Sequence, residues 1–178
     1  RITTAGDGAF SGCTALESID ISELRVTGSD VFANCTKLAS VTTSKYTDIG
    51  TNMFAGCTAL RSFVFKGSYL KEGAFNGCSG LTSFTFEPED EFLGIGNYAL
   101  AGVKIQKITL PDGTYSIGES AFEGCSNLKT VKFGMFTDRD HNVSDTYHGA
   151  ITLGRNAFAK CTSLTTIENP QRITTAGD

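Results

Sequence analysis

Six cysteines and two histidines are the side chains of this sequence best suited to nucleophilic, redox or metal chemistry. The cysteines are Cys13, Cys35, Cys57, Cys78, Cys125 and Cys161. A structural zinc centre takes thiolates two to four residues apart, and no two of these cysteines are that close. They read instead as small buried hydrophobes with free thiols. His141 and His148 lie in a polar stretch that also holds Asp138, Asp140 and Asp145. That stretch has donor atoms for a metal, but neither the His-x-x-x-His spacing of a helical zinc site nor the ligand order of a calcium loop. A solvated loop offering Asp138, Asp140, His141, Asp145 and His148 as contact residues is the expectation, with no metal and no cofactor.

Gly94-Ile95-Gly96-Asn97-Tyr98-Ala99 matches the short form of a dinucleotide fingerprint. Such a fingerprint requires a preceding strand, a long following helix and an acidic residue about 20 positions on. Here it falls in phase with Ile117-Gly118, so a turn of a repeat is the reading. There is no Gly-x-Ser-x-Gly elbow and no phosphate loop. With both histidines in one loop, a histidine-dependent triad is not expected. Asn34-Cys35-Thr36 and Asn142-Val143-Ser144 are glycosylation sequons, but Asn34 stands where other units carry Gly and reads as a turn residue. No catalytic residue is assigned, and the chain is not expected to be an enzyme.

The elements carrying these residues follow from an internal repeat. The units are centred on Phe10, Phe32, Phe54, Phe75, Leu100, Phe122 and Phe158, in steps of 22, 22, 21, 25, 22 and 36 residues. Each reads as a small or apolar residue, Phe, any residue, a turn former, Cys, then Leu and an alternating apolar pair, as in Ala74-Phe75-Asn76-Gly77-Cys78, Leu81, Phe84 and Phe86. The fifth unit is worn: Leu100 replaces Phe, Val103 replaces Cys, and one residue is missing before Ile105. The long last step contains an insertion, residues 134–150.

The alternating end of each unit has the period of a short half-buried strand, and the Ala-Phe-x-Gly-Cys piece reads as a short helical turn. Neither buries its apolar side alone, whereas stacked copies do. The chain is therefore expected to be one α/β solenoid domain spanning residues 1–178. A chain of 178 residues buries roughly 70% of the surface its unfolded form exposes.

These motifs resemble the BspA-like, or treponemal, class of leucine-rich repeats. The best match runs from Ile105-Gln106-Lys107-Ile108-Thr109-Leu110-Pro111-Asp112 to Ile117-Gly118-Glu119-Ser120-Ala121-Phe122-Glu123-Gly124-Cys125. The resemblance covers nearly the whole chain apart from the insertion. It implies a leucine-rich repeat right-handed superhelix of about seven repeats, with a parallel β-sheet on the concave face. It also implies an extracellular or cell-surface adhesion role, with an extracellular-matrix or cell-surface protein as partner. The strand-ending Leu-Pro of that class survives only at Leu110-Pro111.

In such a solenoid the strand residues between the core positions face a partner. One column reads Ser18, Ser40, Ser62, Ser83, Lys107, Thr130 and Thr166; the next reads Asp20, Thr42, Val64, Thr85, Thr109, Lys132 and Glu168. The candidate binding set is Ser18, Asp20, Thr42, Val64, Thr85, Lys107, Thr109, Thr130, Lys132 and Glu168. These columns hold no aromatic residue, so neither an aromatic hot spot nor a sugar-stacking platform is expected there.

The formal charge is −4, from 15 basic and 19 acidic residues, and no basic run stands out. Nucleic acid is therefore not an expected partner. No apolar stretch reaches 18 residues, so this segment is not expected to insert in a membrane, and its first residues lack the apolar core of a secretion signal. Arg172 to Asp178 repeat Arg1 to Asp7 letter for letter. The duplication fits one period of a tandem array, and uncapped ends of that kind favour end-to-end self-association.

Overall fold

The computed structural model describes residues 2–88, 91–134 and 150–176. The chain winds as a parallel-strand β-solenoid whose turns contribute strands to two columns. The first column holds β2 (Ser18–Asp20), β4 (Ser40–Thr42), β5 (Ser62–Phe65), β7 (Ser83–Phe86), β9 (Lys107–Thr109), β11 (Thr130–Lys132) and β13 (Thr166–Glu168). The second holds β1 (Thr4–Ala5), β3 (Val26–Thr27), β6 (Tyr69–Leu70), β8 (Gly94–Ile95), β10 (Ser116–Ile117), β12 (Ile151–Leu153) and β14 (Ile173–Ala176). Neither column is continuous. The first is paired as β2-β4, β5-β7 and β9-β11-β13; the second as β1-β3 and β6-β8-β10-β12-β14.

Two expectations are corrected here. The motif over residues 94–99 is a turn only from Asn97 onward: Gly94–Ile95 and Ser116–Ile117 are strands, paired in parallel with each other and with their neighbours. The Ala-Phe-x-Gly-Cys segment is not helical either. Among the described residues the one helix is a single 3-10 turn, Pro170–Arg172, so the fold is β rather than α/β.

Hydrogen bonding explains the loss of helix. Within each turn alternate N–H groups go to different places. Ala33 donates to Asp30 and Cys35 donates to Phe32, closing local turns, while Phe32 donates to Met53 at 2.9 Å and Asn34 to Ala55 at 2.7 Å, in the neighbouring rung. The same division recurs at Phe54 and Gly56, which reach Ala74 and Asn76. An α-helix needs every N–H for its own axis, and here every second one belongs to the next rung.

The turn is bracketed by residues in the left-handed region. Asp30, Asn52 and Ser120 open it at φ between 51° and 59°, while Gly56, Gly77 and Gly124 close it at 72–73°. Asn34 and Lys160 take the closing position at φ 59°, which is the turn role read for Asn34. Glycine suits that position because it lacks the Cβ that makes the region costly.

The columns of identical residues form the core. Phe10, Phe32, Phe54 and Phe75 stack with ring centroids 5.3, 5.7 and 5.4 Å apart, and Phe122 stacks on Phe158 at 5.0 Å. Leu100, fully buried, fills the gap between the two stacks. At the far end Arg172 is 4% exposed and donates to the carbonyls of Gly134 (2.6 Å) and Thr114 (3.1 Å). It thereby pins the residue at which the insertion begins.

The cysteines also stack by rung and all are free thiols. Five of them donate to the carbonyl one rung back: Cys35 to Phe10, Cys57 to Phe32, Cys78 to Phe54, Cys125 to Leu100 and Cys161 to Phe122, at 3.0–3.2 Å. Burial pushes the Cys57 thiol up to about 12 and raises Cys35 and Cys78 as well. At the end of the column the neighbouring Cys161 sulfur, with burial, raises the Cys125 thiol, and the Cys125 sulfur in turn lowers Cys161.

Two outcomes follow. Truncating Phe54, buried and stacked on both sides, by Phe54→Ala is expected to cost about 3–5 kcal/mol, read as a lower urea midpoint; a loss under 1 kcal/mol would refute the stacked core. The thiols give a pH test. Unfolded thiols ionise near 9.0, but folded Cys57 does so only near 12, so between those values the unfolded state holds fewer protons and stability falls as pH rises. The unfolding midpoint should be level below pH 8 and decline from pH 9 upward. At pH 8 the exposed Cys13 should react with a thiol reagent first, and Cys35, Cys57, Cys78 and Cys125 only on unfolding.

Candidate functional site

The first strand column brings the expected binding residues into register. Ser18 pairs with Ser40 and Asp20 with Thr42; Val64 pairs with Thr85; Lys107, Thr130 and Thr166 align, as do Thr109, Lys132 and Glu168. Residues with apolar side chains at the intervening positions, such as Phe63, Phe84, Ile108 and Val131, point into the core. Side chains of opposite parity therefore share the outer face.

The charged members of the set are not equally available. Asp20 accepts a 2.9 Å hydrogen bond from the Ser22 N–H, which with the Ser22 hydroxyl holds its carboxyl below the usual range. It caps the turn that leaves β2. Lys132 and Glu168 face each other at 3.8 Å across β11 and β13, a half-exposed pair of the kind worth little to stability. Ser18, Val64 and Thr130 lie along the same outer face, Ser18 and Val64 exposed and Thr130 half-buried, and Thr42 lies there at the end of β4. The contact residues proposed in the insertion, Asp138, Asp140, His141, Asp145 and His148, lie outside the described residues.

Three of the expected residues do converge. Thr85, Lys107 and Thr109 line an open cleft of about 560 Å³ together with Ser83, Phe86 and Gln106. The cleft marks the interruption of the first sheet between β7 and β9. It coincides with the worn unit. Two residues separate Cys78 from Leu81, but only one separates Val103 from Ile105. Where the first sheet is paired, the two N–H groups entering the strand share one carbonyl of the previous rung, as Thr82 and Ser83 share Arg61 and Lys129 and Thr130 share Gln106. In the shortened unit Lys104 donates to Leu81 at 2.8 Å instead, and the β7–β9 ladder does not form.

The cleft walls thus combine hydroxyls, an amide, an ammonium and the half-buried ring of Phe86, beside strand edges that lack a ladder partner. This suits hydrogen bonding to an extended polar segment. It provides no nucleophile paired with a base. Among the described residues no group of three His, Cys, Asp or Glu side chains gathers, and no helix is long and apolar enough to cross a membrane. Reading columns of equivalent residues missed Phe86 and Gln106, although the one-residue deletion before Ile105 was the signal that pointed to them.

Comparison with known proteins places this architecture. The solenoid superposes on a leucine-rich repeat protein from Bacteroides ovatus ATCC 8483 with a TM-score of 0.70 and 21% identity, covering 99% of this chain and 55% of that one. It superposes on a leucine rich cell surface protein from Faecalibacterium prausnitzii A2-165 with a TM-score of 0.67 and 17% identity, covering 99% and 58%. The T. pallidum leucine-rich repeat protein matches with a TM-score of 0.57 and 21% identity, covering 99% and 67%. The chain spans little more than half the length of the first two. No curated protein sequence matches. The family model of the BspA type leucine rich repeat region matches in six copies over residues 1–69, 66–138 and 136–178, and on that match the chain belongs to the BspA-type leucine-rich repeat family.

Proposed function

We propose that this chain is a non-catalytic, extracellular protein-binding module of a cell-surface adhesin, and that it meets an extracellular-matrix or cell-surface protein through the outer face of the first sheet. The observation that carries the reading is the cleft at the β7–β9 interruption, where Thr85, Lys107 and Thr109 converge. A binding face needs local irregularity, because identical rungs offer a partner no unique register. The cleft supplies one between otherwise uniform hydroxyl columns. Similarity to a leucine rich cell surface protein supports the location. The reading takes residues 1–178 as one domain of about seven units with the first sheet concave. It takes the coil as right-handed, the hand that parallel crossovers of L-residues adopt almost without exception. The 134–150 insertion is a second contact element within the same proposal.

A spacer role is the second reading, and one observation favours it. The duplicated segment occupies one place in the lattice at both ends: Ile2 to Ala5 leads into β1, and Ile173–Ala176 is β14. The last rung leaves Ile167 45% exposed and Phe158 half-buried, as Phe10 is at the other end, so each end offers a surface on which another rung of the same design fits.

The test is biolayer interferometry of the full chain against fibronectin, laminin, fibrinogen and collagen. The comparison variants are Lys107→Glu with Thr109→Arg, and a deletion of residues 135–149. Saturable binding weakened about tenfold or more by the double variant, with an unchanged melting temperature, is expected; about 1.4 kcal/mol of lost contact produces that change. Binding that survives the double variant would remove the cleft from the proposal. No binding at tens of micromolar would favour the spacer.

A further inference from the structure

The second strand column has its own interruption, and the residues around it break the repeat in ways the fold does not require. The position after each second-column strand is Gly6, Gly28, Gly96, Gly118 and Gly154, with Gly50 stacked on Gly28. A Cβ at most of these would meet the backbone of the previous rung: at Gly118 it would lie 2.6 Å from the Asn97 nitrogen and at Gly154 2.5 Å from the Glu119 nitrogen. Lys71 is the exception. It follows Leu70 of β6, whose ladder runs to β8 but not back to β3, and the broken ladder leaves room for a side chain.

That side chain is used. Lys71 Nζ donates to Asp48 Oδ2 at 2.8 Å, and the same carboxylate oxygen accepts from the Thr27 hydroxyl at 3.2 Å. Two tyrosines complete the place. Tyr69, on β6, is 41% exposed, and its neighbour in the ladder is Gly94, which has no side chain to cover the ring. Tyr46 is 61% exposed at the corner leading to the second sheet, with the Arg25 guanidinium and the Lys45 ammonium 5.2 and 5.1 Å from its ring centre. Tyr46, Tyr69, Asp48 and Lys71 line one cleft of about 280 Å³. Tyr115, 51% exposed, stands two rungs beyond Tyr69, about 10 Å along the axis at the spacing of a parallel sheet.

We propose that this cleft is a carbohydrate-binding site, taking a pyranose ring against Tyr69 and the next sugars of the same chain toward Tyr115. The chemistry is specific to that class. A pyranose has a face of C–H groups that packs on an exposed aromatic ring and a rim of hydroxyls that both donate and accept. Asp48 and Lys71 present an acceptor and a donor side by side, already oriented by each other and by Thr27. Lys45 and Lys66 line the same cleft, and their ammonium groups add further donors for sugar hydroxyls. The site is separate from the first-sheet cleft and does not depend on the protein-binding reading.

The test is affinity electrophoresis of the full chain through gels containing xylan, laminarin, pullulan or hydroxyethyl cellulose, with folding checked by circular dichroism. Retardation in at least one gel is expected. Tyr69→Ala should reduce it tenfold or more, and Lys71→Gly, which restores the lattice residue and so keeps the fold, should reduce it severalfold. Thr152→Ala, exposed on β12 of the same sheet, should leave it unchanged. Migration unaffected by all four polysaccharides would overturn the proposal, as would retardation that persists in both the Tyr69→Ala and Lys71→Gly variants. Loss of binding to a matrix protein in Tyr69→Ala, with no polysaccharide retarding the parent chain, would assign the cleft to a peptide and overturn it equally.

Discussion

Each rung of this protein leaves half of its turn N–H groups for the rung beside it. Phe32 reaching Met53 and Asn34 reaching Ala55 are the pattern, and the consequences spread from it. Buried backbone donors must be paired, so rungs must stack at a fixed offset. Fixed stacking places Phe on Phe and Cys beside the carbonyl of the preceding Phe. Two left-handed residues must bracket each turn so that the chain can point alternate N–H groups in two directions. The aromatic spine and the thiol column both follow from a backbone that cannot satisfy itself within one unit.

This dependence also explains why the fold tolerates damage in the places it does. The fifth unit loses the Phe, the Cys and one residue, yet Leu100 still donates to Ala121 and Phe75 to Ala99. The turn side of the lattice runs through the worn unit unbroken, and the deletion is absorbed on the strand side, where β7 and β9 part. A strand edge facing solvent can bond to water, whereas an interior turn cannot. The interruption therefore falls where its cost is smallest, and it opens outward.

The columns were legible because stacking repeats the same demand in every rung. Phe54, Cys57, Leu60 and Phe63 could be placed in the core from spacing alone, and Thr85, Lys107 and Thr109 on the outer face. What spacing could not convey was the conformation of pieces too short to carry a period. Ser116–Ile117 is a strand only because Gly94–Ile95 and Thr152–Leu153 lie on either side of it; two residues show no alternation. The Ala-Phe-x-Gly-Cys turn has the apolar spacing of a helix, and the neighbour's carbonyls decide otherwise. The cleft between β7 and β9 was written as a missing residue, but a deletion does not announce which hydrogen bond will be lost. Tyr46, Tyr69 and Tyr115 lie outside the first column and hold no common repeat position, so spacing gives them no shared place.

A repeat lattice offers a standard against which function can be read. Positions that the stack dictates are filled alike in every rung, so a residue that departs from its column needs another reason. Lys71 in a column of glycines is such a residue, and it stands where the second ladder breaks. Lys107 is another, the one cation among the hydroxyls of Ser18, Ser40, Ser62, Ser83, Thr130 and Thr166. Each stands at an interruption of its strand column, and each lines a cleft. An interruption sacrifices ladder hydrogen bonds that regular rungs retain, and the side chains gathered at both are polar rather than core-filling. Stability alone would favour healing the lattice with a glycine at 71 and a restored residue before Ile105, so the interruptions point to binding as what the departures serve.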